Sequence, residues 1–185
     1  LRAGWGVTGQ QDGIGDYAYI GNYFQGATTA QYAFGGQYYQ VLRPAGFDAN
    51  LKWETTTSYN LGLDFGFKND RFSGSVDVYQ KDTKDLLATV PVPAGTNFTN
   101  EILTNVGAMQ NRGIEVSVNT GIIAKKDMRL DWTINGTYNV NSVVKLSQVV
   151  DTTSPGVLVG GIGGGIGNTI QVHQVAYPTF TYFVL

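Results

Sequence analysis

Residues 58–81 carry two runs of alternating polarity that swap parity across a short polar break. In the first run Tyr59, Leu61, Leu63, Phe65 and Phe67 alternate with Asn60, Gly62, Asp64 and Gly66. In the second, Phe72, Gly74, Val76 and Val78 alternate with Ser73, Ser75, Asp77 and Tyr79. A period of two marks strands with distinct faces. A tight turn centred on Asn69-Asp70 sets Phe65 opposite Gly74, Leu63 opposite Val76 and Leu61 opposite Val78. One face of the hairpin is then apolar, and the other carries Asn, Gly, Asp and Ser.

The pattern recurs downstream. Ile114, Val116, Val118, Thr120 and Ile122 alternate with Glu115, Ser117 and Asn119. After a short turn at Lys125-Lys126-Asp127, Leu130, Trp132, Ile134 and Tyr138 alternate with Asp131, Thr133, Asn135, Thr137 and Asn139. The expected register sets Val118 opposite Ile134, Thr120 opposite Trp132 and Ile114 opposite Tyr138. Residues 1–8 form a further strand ending at Gly9, 143–150 extend the second hairpin, and 169–175 alternate again. Long connections are expected at 9–49, 82–105 and 151–168. The first is rich in Gly, Gln, Tyr and Ala, with room for short strands. The second is interrupted by Pro91-Val92-Pro93-Ala94-Gly95.

Short turns therefore alternate with long connections, as in outer-membrane barrels with short periplasmic turns and long extracellular loops. Aromatic spacing agrees. Tyr59 stands roughly 19 Å above Phe67 in membrane height, and Tyr138 roughly 23 Å above Met128, for tilted strands. Both heights approach the ~25 Å apolar band between aromatic girdles. The fold expected is all-β: an antiparallel transmembrane β-barrel segment, a partial barrel of about five to eight strands. The rival fold is a soluble β-sandwich, such as a carbohydrate-binding module, in which Leu61, Leu63, Val76, Val116, Trp132 and Ile134 are buried against a second sheet. An adhesin or autotransporter barrel is a third reading.

Composition sharpens the picture. Charged residues make up 14% of the chain and aromatics 12%, with 25 glycines. That charge is well below the roughly 25% of soluble domains. The net charge of −2 leaves no basic footprint for nucleic acid. The absence of cysteine excludes disulfides and thiolate chemistry. No apolar run approaches the ~20 residues of a membrane helix, whereas a barrel strand needs only ~9–11. The chain opens Leu1-Arg2-Ala3-Gly4 and closes on an aromatic run, which reads as a piece of a longer polypeptide.

Five segments, in order, carry a family resemblance. They are Leu1-Arg-Ala-Gly-Trp-Gly-Val-Thr-Gly-Gln10; Leu51-Lys-Trp-Glu-Thr-Thr-Thr-Ser-Tyr-Asn-Leu-Gly-Leu-Asp-Phe-Gly-Phe67; the run from Arg71 to Leu87; Asn105-Val-Gly-Ala-Met-Gln-Asn-Arg-Gly-Ile-Glu-Val116; and Gly167-Asn-Thr-Ile-Gln-Val-His-Gln-Val-Ala-Tyr-Pro178. Together they resemble the late barrel of SusC/RagA-type TonB-dependent transporters. One departure is visible: Asp48-Ala49-Asn50-Leu51 stands where the family usually has Asn-Pro-Asp-Leu. The resemblance implies a Bacteroidetes outer-membrane protein that imports oligosaccharides or peptides with a SusD-like surface lipoprotein, driven by the TonB system. Residues 1–185 would then be part of a single TonB-dependent receptor β-barrel domain of ~22 strands, with the plug domain and TonB box absent from this stretch.

No catalytic, cofactor-binding or metal site is expected. Asp64, Asp77, Glu115 and Asp131 are spread over four polar-facing strand segments, which is no catalytic pair. They read as wall residues that could tune a lumen or touch a plug. His173 is the sole histidine, so a zinc site lacks partners and a wall or loop role is expected. Gly160–Gly167 lacks the Lys-Ser/Thr of a phosphate loop and reads as a flexible connection. The residues best suited to ligand or lid-partner contact are Tyr17, Tyr19, Tyr23, Tyr32, Tyr38 and Tyr39. Aromatic faces stack on sugar rings, and nearby amides can bond hydroxyls.

Overall fold

A computed structural model describes residues 1–68, 71–146, 156–161 and 169–182. The strands, in chain order, are β1 (Arg2–Gln10), β2 (Tyr23–Gln25), β3 (Gln31–Phe34), β4 (Gln37–Gln40), β5 (Leu42–Pro44), β6 (Glu54–Phe67), β7 (Phe72–Pro91), β8 (Glu101–Lys125), β9 (Met128–Leu146), β10 (Val157–Gly161), β11 (Thr169–His173) and β12 (Thr181–Tyr182). The chain divides into two compact units. One comprises Leu1–Gly9, Thr55–Lys84 and Gly107–Leu185; the other comprises Gln10–Glu54 and Asp85–Val106.

The first unit is built on a five-stranded sheet in the order β1-β6-β7-β8-β9. Its β6–β7 register is the one the alternation dictates: Leu61 pairs with Val78, Leu63 with Val76 and Phe65 with Gly74. The turn at 69–70 lies outside the described residues. The antiparallel ladder runs without a shift from Phe67↔Phe72 to Thr55↔Lys84. Pairing therefore outlasts the hydrophobic pattern. Thr55, Thr56 and Thr57 favour extended backbone, and the Thr56 and Thr83 hydroxyls meet at 2.9 Å.

The expected connection at 82–105 is accordingly mostly strand. Backbone pairing does not depend on which side chains are apolar, so β7 continues to Pro91 and β8 begins at Glu101. Pro91 and Pro93 mark the exit, where Val92 N donates to Asn100 O at 2.8 Å. The region 9–49 likewise contains the short strands β2–β5, and β9 carries the second hairpin to Leu146. Residues 147–155, and so the end of the expected 143–150 strand and the start of the third long connection, lie outside the described residues. So do 162–168, the greater part of the glycine run; Gly160 and Gly161 end β10.

The β8–β9 hairpin keeps the expected pairs Ile114↔Tyr138, Val118↔Ile134 and Thr120↔Trp132. Nearer the turn the register shifts: Gly121 faces Asp131 and Ile123 faces Leu130, leaving Ile122 as the extra residue of a β-bulge. The turn tightens to Lys126-Asp127, closed by Lys125↔Met128. Arg71 secures the bulge. Its Nε and Nη2 donate to the carbonyls of Gly121 and Ile122 at 2.9 and 3.1 Å, and its own carbonyl accepts from Gly121 N at 2.8 Å. Bulges leave such backbone groups unpaired within the ladder.

One face of the five-stranded sheet is apolar and exposed. Leu61 is 55% exposed, Leu63 51% and Trp132 56%, with Trp5, Val78, Leu130 and Ile134 similar. The sandwich alternative requires these side chains to be interior, and they are not. Buried apolar residues among those described are Val90, Val106, Val143 and Val172. Phe65, Phe67 and Phe72 cluster at the turn end of β6–β7, with centroids 5.8–6.3 Å apart. Gly74 completes this cluster. Any Cβ there would collide with Ser117 O and the Phe65 ring. The unit also contains a three-stranded sheet, β10-β11-β12, joined to β9 by a parallel bridge between Val143 and Val175.

The second unit holds two two-stranded sheets, β2-β5 and β3-β4. The β3–β4 turn is Gly35-Gly36, with φ of +60° and +78°, the left-handed pair that a two-residue hairpin turn needs. Phe47, Phe98 and Tyr23 pack at centroid distances of 5.7 and 6.4 Å. Asn97 clamps Phe47, accepting from its N at 3.3 Å and donating to its O at 2.8 Å.

Candidate functional site

Two groupings of polar and aromatic side chains stand out, one in each unit. In the second unit, Gln11, Asp12, Gly13, Ile14, Gly15, Asp16, Tyr17, Tyr19 and Trp53 line an open recess of about 570 Å³. The loop folds back through Ile14 N→Gln11 O and Ala18 N→Gly15 O bonds, each 3.2 Å. Tyr17 takes a left-handed φ of +62°, and its carbonyl accepts from Asn22 Nδ2 at 3.1 Å. Two carboxylates, an amide and three aromatic rings thus share one wall. Rings of this kind stack on flat apolar faces, while the carboxylates accept from hydroxyl or amide donors.

Of the six tyrosines expected from sequence, this recess gathers Tyr17 and Tyr19. The others lie elsewhere. Tyr23, on β2, packs against Phe98. Tyr32 on β3 stacks on Tyr39 of β4 at 5.6 Å, a cross-strand pair set by the register Tyr32↔Tyr39. Tyr38 is 75% exposed. Sequence reasoning missed Asp12, Asp16 and Trp53. The spacing Asp12-Gly-Ile-Gly-Asp16 was a usable signal, because two glycines let the chain curl and bring the flanking carboxylates to one rim. Trp53 gave no local sign, being remote in sequence.

In the first unit the polar face of the sheet is organised by Arg2. Its Nε and Nη2 grip Asp64 at 2.8 and 3.0 Å, and Nη2 also reaches Asp77 at 3.0 Å. The fork geometry of guanidinium suits such bidentate contact. Asp77 and Glu115 share a small recess of about 190 Å³ with Ser75, Ser117, Asn135 and Thr137. Asp131 pairs with Arg129 at 2.6 Å. Asn139 Nδ2 donates to the Tyr79 hydroxyl at 3.1 Å. The four acidic residues therefore lie on the polar face as expected, but only Asp64 and Asp77 are brought together, by one shared guanidinium. Arg2 is too distant in sequence for the pattern to have named it.

His173 ends β11, edge-on to Phe180 at 4.7 Å. Among the described residues there is no cluster of three or more His, Cys, Asp or Glu suited to a metal. No helix there is long and apolar enough to cross a membrane, which says nothing about crossing by strands.

A sheet with one exposed apolar face and one polar face is the wall pattern of strand-built membrane proteins, and comparison with known proteins gives the family. The chain belongs to the TonB-dependent receptors: the family described as "TonB dependent receptor-like, beta-barrel" matches residues 1–180. Within it the chain is of the SusC/RagA type. It is 42% identical over 184 residues to the TonB-dependent receptor SusC of Bacteroides thetaiotaomicron, covering all of this chain and 18% of that protein. It is 35% identical over 167 residues to the TonB-dependent receptor P39 of Formosa agariphila, covering 86% of this chain and 14% of that protein. Among solved structures it is similar to the RagAB peptide transporter, with a TM-score of 0.73, 25% identity and coverage of 96% of this chain and 18% of that one. The chain thus spans under a fifth of these relatives. Members of the family are outer-membrane transporters that serve nutrient uptake, not enzymes.

Proposed function

We propose that this chain is part of the barrel wall of a TonB-dependent outer-membrane transporter that imports oligosaccharides or peptides together with a SusD-like lipoprotein. The apolar face of the five-stranded sheet meets lipid, and the face carrying Arg2, Asp64 and Asp77 lines the lumen. The Phe67–Phe72 end of the β6–β7 hairpin and the turn at Lys126-Asp127 are periplasmic, and the long connections are extracellular loops. Residues 1–185 belong to one barrel domain, whose plug and TonB box lie in another part of the protein. The observation that carries this reading is the continuous, exposed apolar face on β6–β9, bounded by Phe67 and Phe72 at the turn end and by Tyr59 and Tyr138 further up.

Single introduced cysteines test it cleanly, because this segment has none of its own. In the full-length protein reconstituted in lipid, a fluorophore at Leu63→Cys should be quenched by a brominated lipid and one at Ser75→Cys by aqueous iodide. Equal aqueous quenching at both positions would end the wall reading. The recess of Tyr17, Tyr19 and Trp53, with Asp12 and Asp16, is the proposed ligand contact. Trp53→Ala should weaken substrate binding while leaving barrel assembly intact. Tyr38→Ala, outside the recess, should have no such effect.

A further inference from the structure

The apolar face carries one feature that plain lipid contact does not use. Asn139, which bonds Tyr79, pairs with Gly113, so Gly113, Asn139 and Tyr79 lie on the polar side. Arg112, the next residue, pairs with Val140 and projects from the other side, with Ile114 and Tyr138. Gln80 pairs with Tyr59 and shares that side too. Tyr59, Gln80, Arg112 and Tyr138 line one open depression of about 620 Å³.

Arg112 is exposed, and among the described residues no carboxylate lies within 4 Å of it. The neighbouring acid on this side is already engaged. Asp82 accepts from Gln80 Nε2 at 2.9 Å and from Gln110 Nε2 at 2.8 Å. A permanently charged guanidinium thus stands at the margin of a greasy wall, flanked by two tyrosines and, among the described residues, without a carboxylate partner. Tyrosines at this level mark the headgroup zone. A long arginine lays its stem on apolar surface and presents its head to that zone. The fork of N–H donors matches two oxygens of a phosphate.

We propose that Arg112, framed by Tyr59, Gln80 and Tyr138, holds the phosphate of a membrane-lipid headgroup in the leaflet remote from the turn ends of the two hairpins. The proposal rests on the wall reading above and adds a specific lipid site to it. The acyl chains lie along Leu61, Val78 and Ile114, and the phosphate meets the guanidinium.

Native mass spectrometry of the full-length protein in non-ionic detergent tests this, with phosphatidylglycerol as probe and phosphate-free diacylglycerol as control. The wild type should retain phosphatidylglycerol, and Arg112→Ala should lower its occupancy about tenfold, the worth of one charge-assisted contact. Arg112→Lys should recover part of the loss, and diacylglycerol retention should be the same in all three proteins. Heat-modifiable gel mobility shows that each variant is a folded barrel. Unchanged phosphatidylglycerol retention in Arg112→Ala overturns the proposal. So does displacement of the lipid by millimolar inorganic phosphate, which would mark a small-anion site. The Leu63→Cys quenching measurement separates the two levels. Lipid quenching there with no effect at Arg112 removes only the headgroup site, whereas aqueous quenching there removes the wall as well.

Discussion

The two faces of the five-stranded sheet are made by the same strands and held by different physics. Between the turn end and the level of Tyr59, the apolar face carries no ion pair among the described residues; it is Leu, Val, Ile and aromatic side chains, many about half exposed. The polar face has little apolar surface; it is ordered by directional contacts, Arg2 with Asp64 and Asp77, and Tyr79 with Asn139. On the wall reading proposed above, hydrocarbon solvates the first face without any geometric demand. The second must satisfy each donor and acceptor with a partner or with water. Substitutions on the two faces should therefore fail for different reasons.

The largest contrast is charge insertion. Leu63→Arg should cost about 2–4 kcal/mol in a lipid-reconstituted unfolding titration if the residue lies near the bilayer midplane. Ser75→Arg, on the other face, should change little. Equal costs would erase the distinction between the faces. Next is Gly74→Val, which forces a side chain into the space between Ser117 O and the Phe65 ring. Overpacking of this kind costs about 1–3 kcal/mol. Phe65→Ala should relieve part of it in a double-mutant cycle, and strict additivity would mean the ring is not the obstacle. Smaller still is Tyr79→Phe, which deletes the bond to Asn139. It should cost about 0.5–1.5 kcal/mol in the same titration, with no change in lipid quenching at Leu63.

The smallest effect is a pH dependence at the margin where the faces lose their contrast. Amide donation from Gln110 and then Gln80 holds the Asp82 carboxyl below its ordinary value of 3.8. A depressed carboxylate contributes stability that is complete above its unfolded pKa and is lost as pH falls through the folded one. Asp82→Asn should flatten the acid limb of the stability curve below about pH 4. An unchanged limb would show that the two amides do not favour the charged form.

The hairpin walls were legible from sequence because their information is local. One parity choice at Leu61-Leu63-Phe65 fixes every partner on Val76–Val78, and Ile114–Val118 does the same for Ile134–Tyr138. Strand length was not legible in that way. The polar stretch from Gln80 to Lys84 stops alternating apolar with polar, yet its backbone keeps pairing because Thr55–Thr57 opposite it are extended. The turn at Lys126-Asp127 was placed to within a residue; the bulge at Ile122 depends on Arg71, which no short-range pattern links to it. The candidate recess was half legible. Tyr17 and Tyr19 announce themselves by composition, whereas Trp53 joins them only through the fold, and Tyr32 and Tyr39 turn out to satisfy one another.

The single unpaired residue at Ile122 has a consequence for how this segment tolerates change in length. Below it, partners follow one numbering offset; above it, as far as Met109↔Val143, they follow another. Deleting that residue would leave a plain two-residue turn and an unshifted ladder as far as Met109↔Val143, and every side chain on that stretch would still point the way it does now. The hairpin thus carries its own slack at the foot of the wall, where a gained or lost amino acid is absorbed before it can turn grease inward and charge outward.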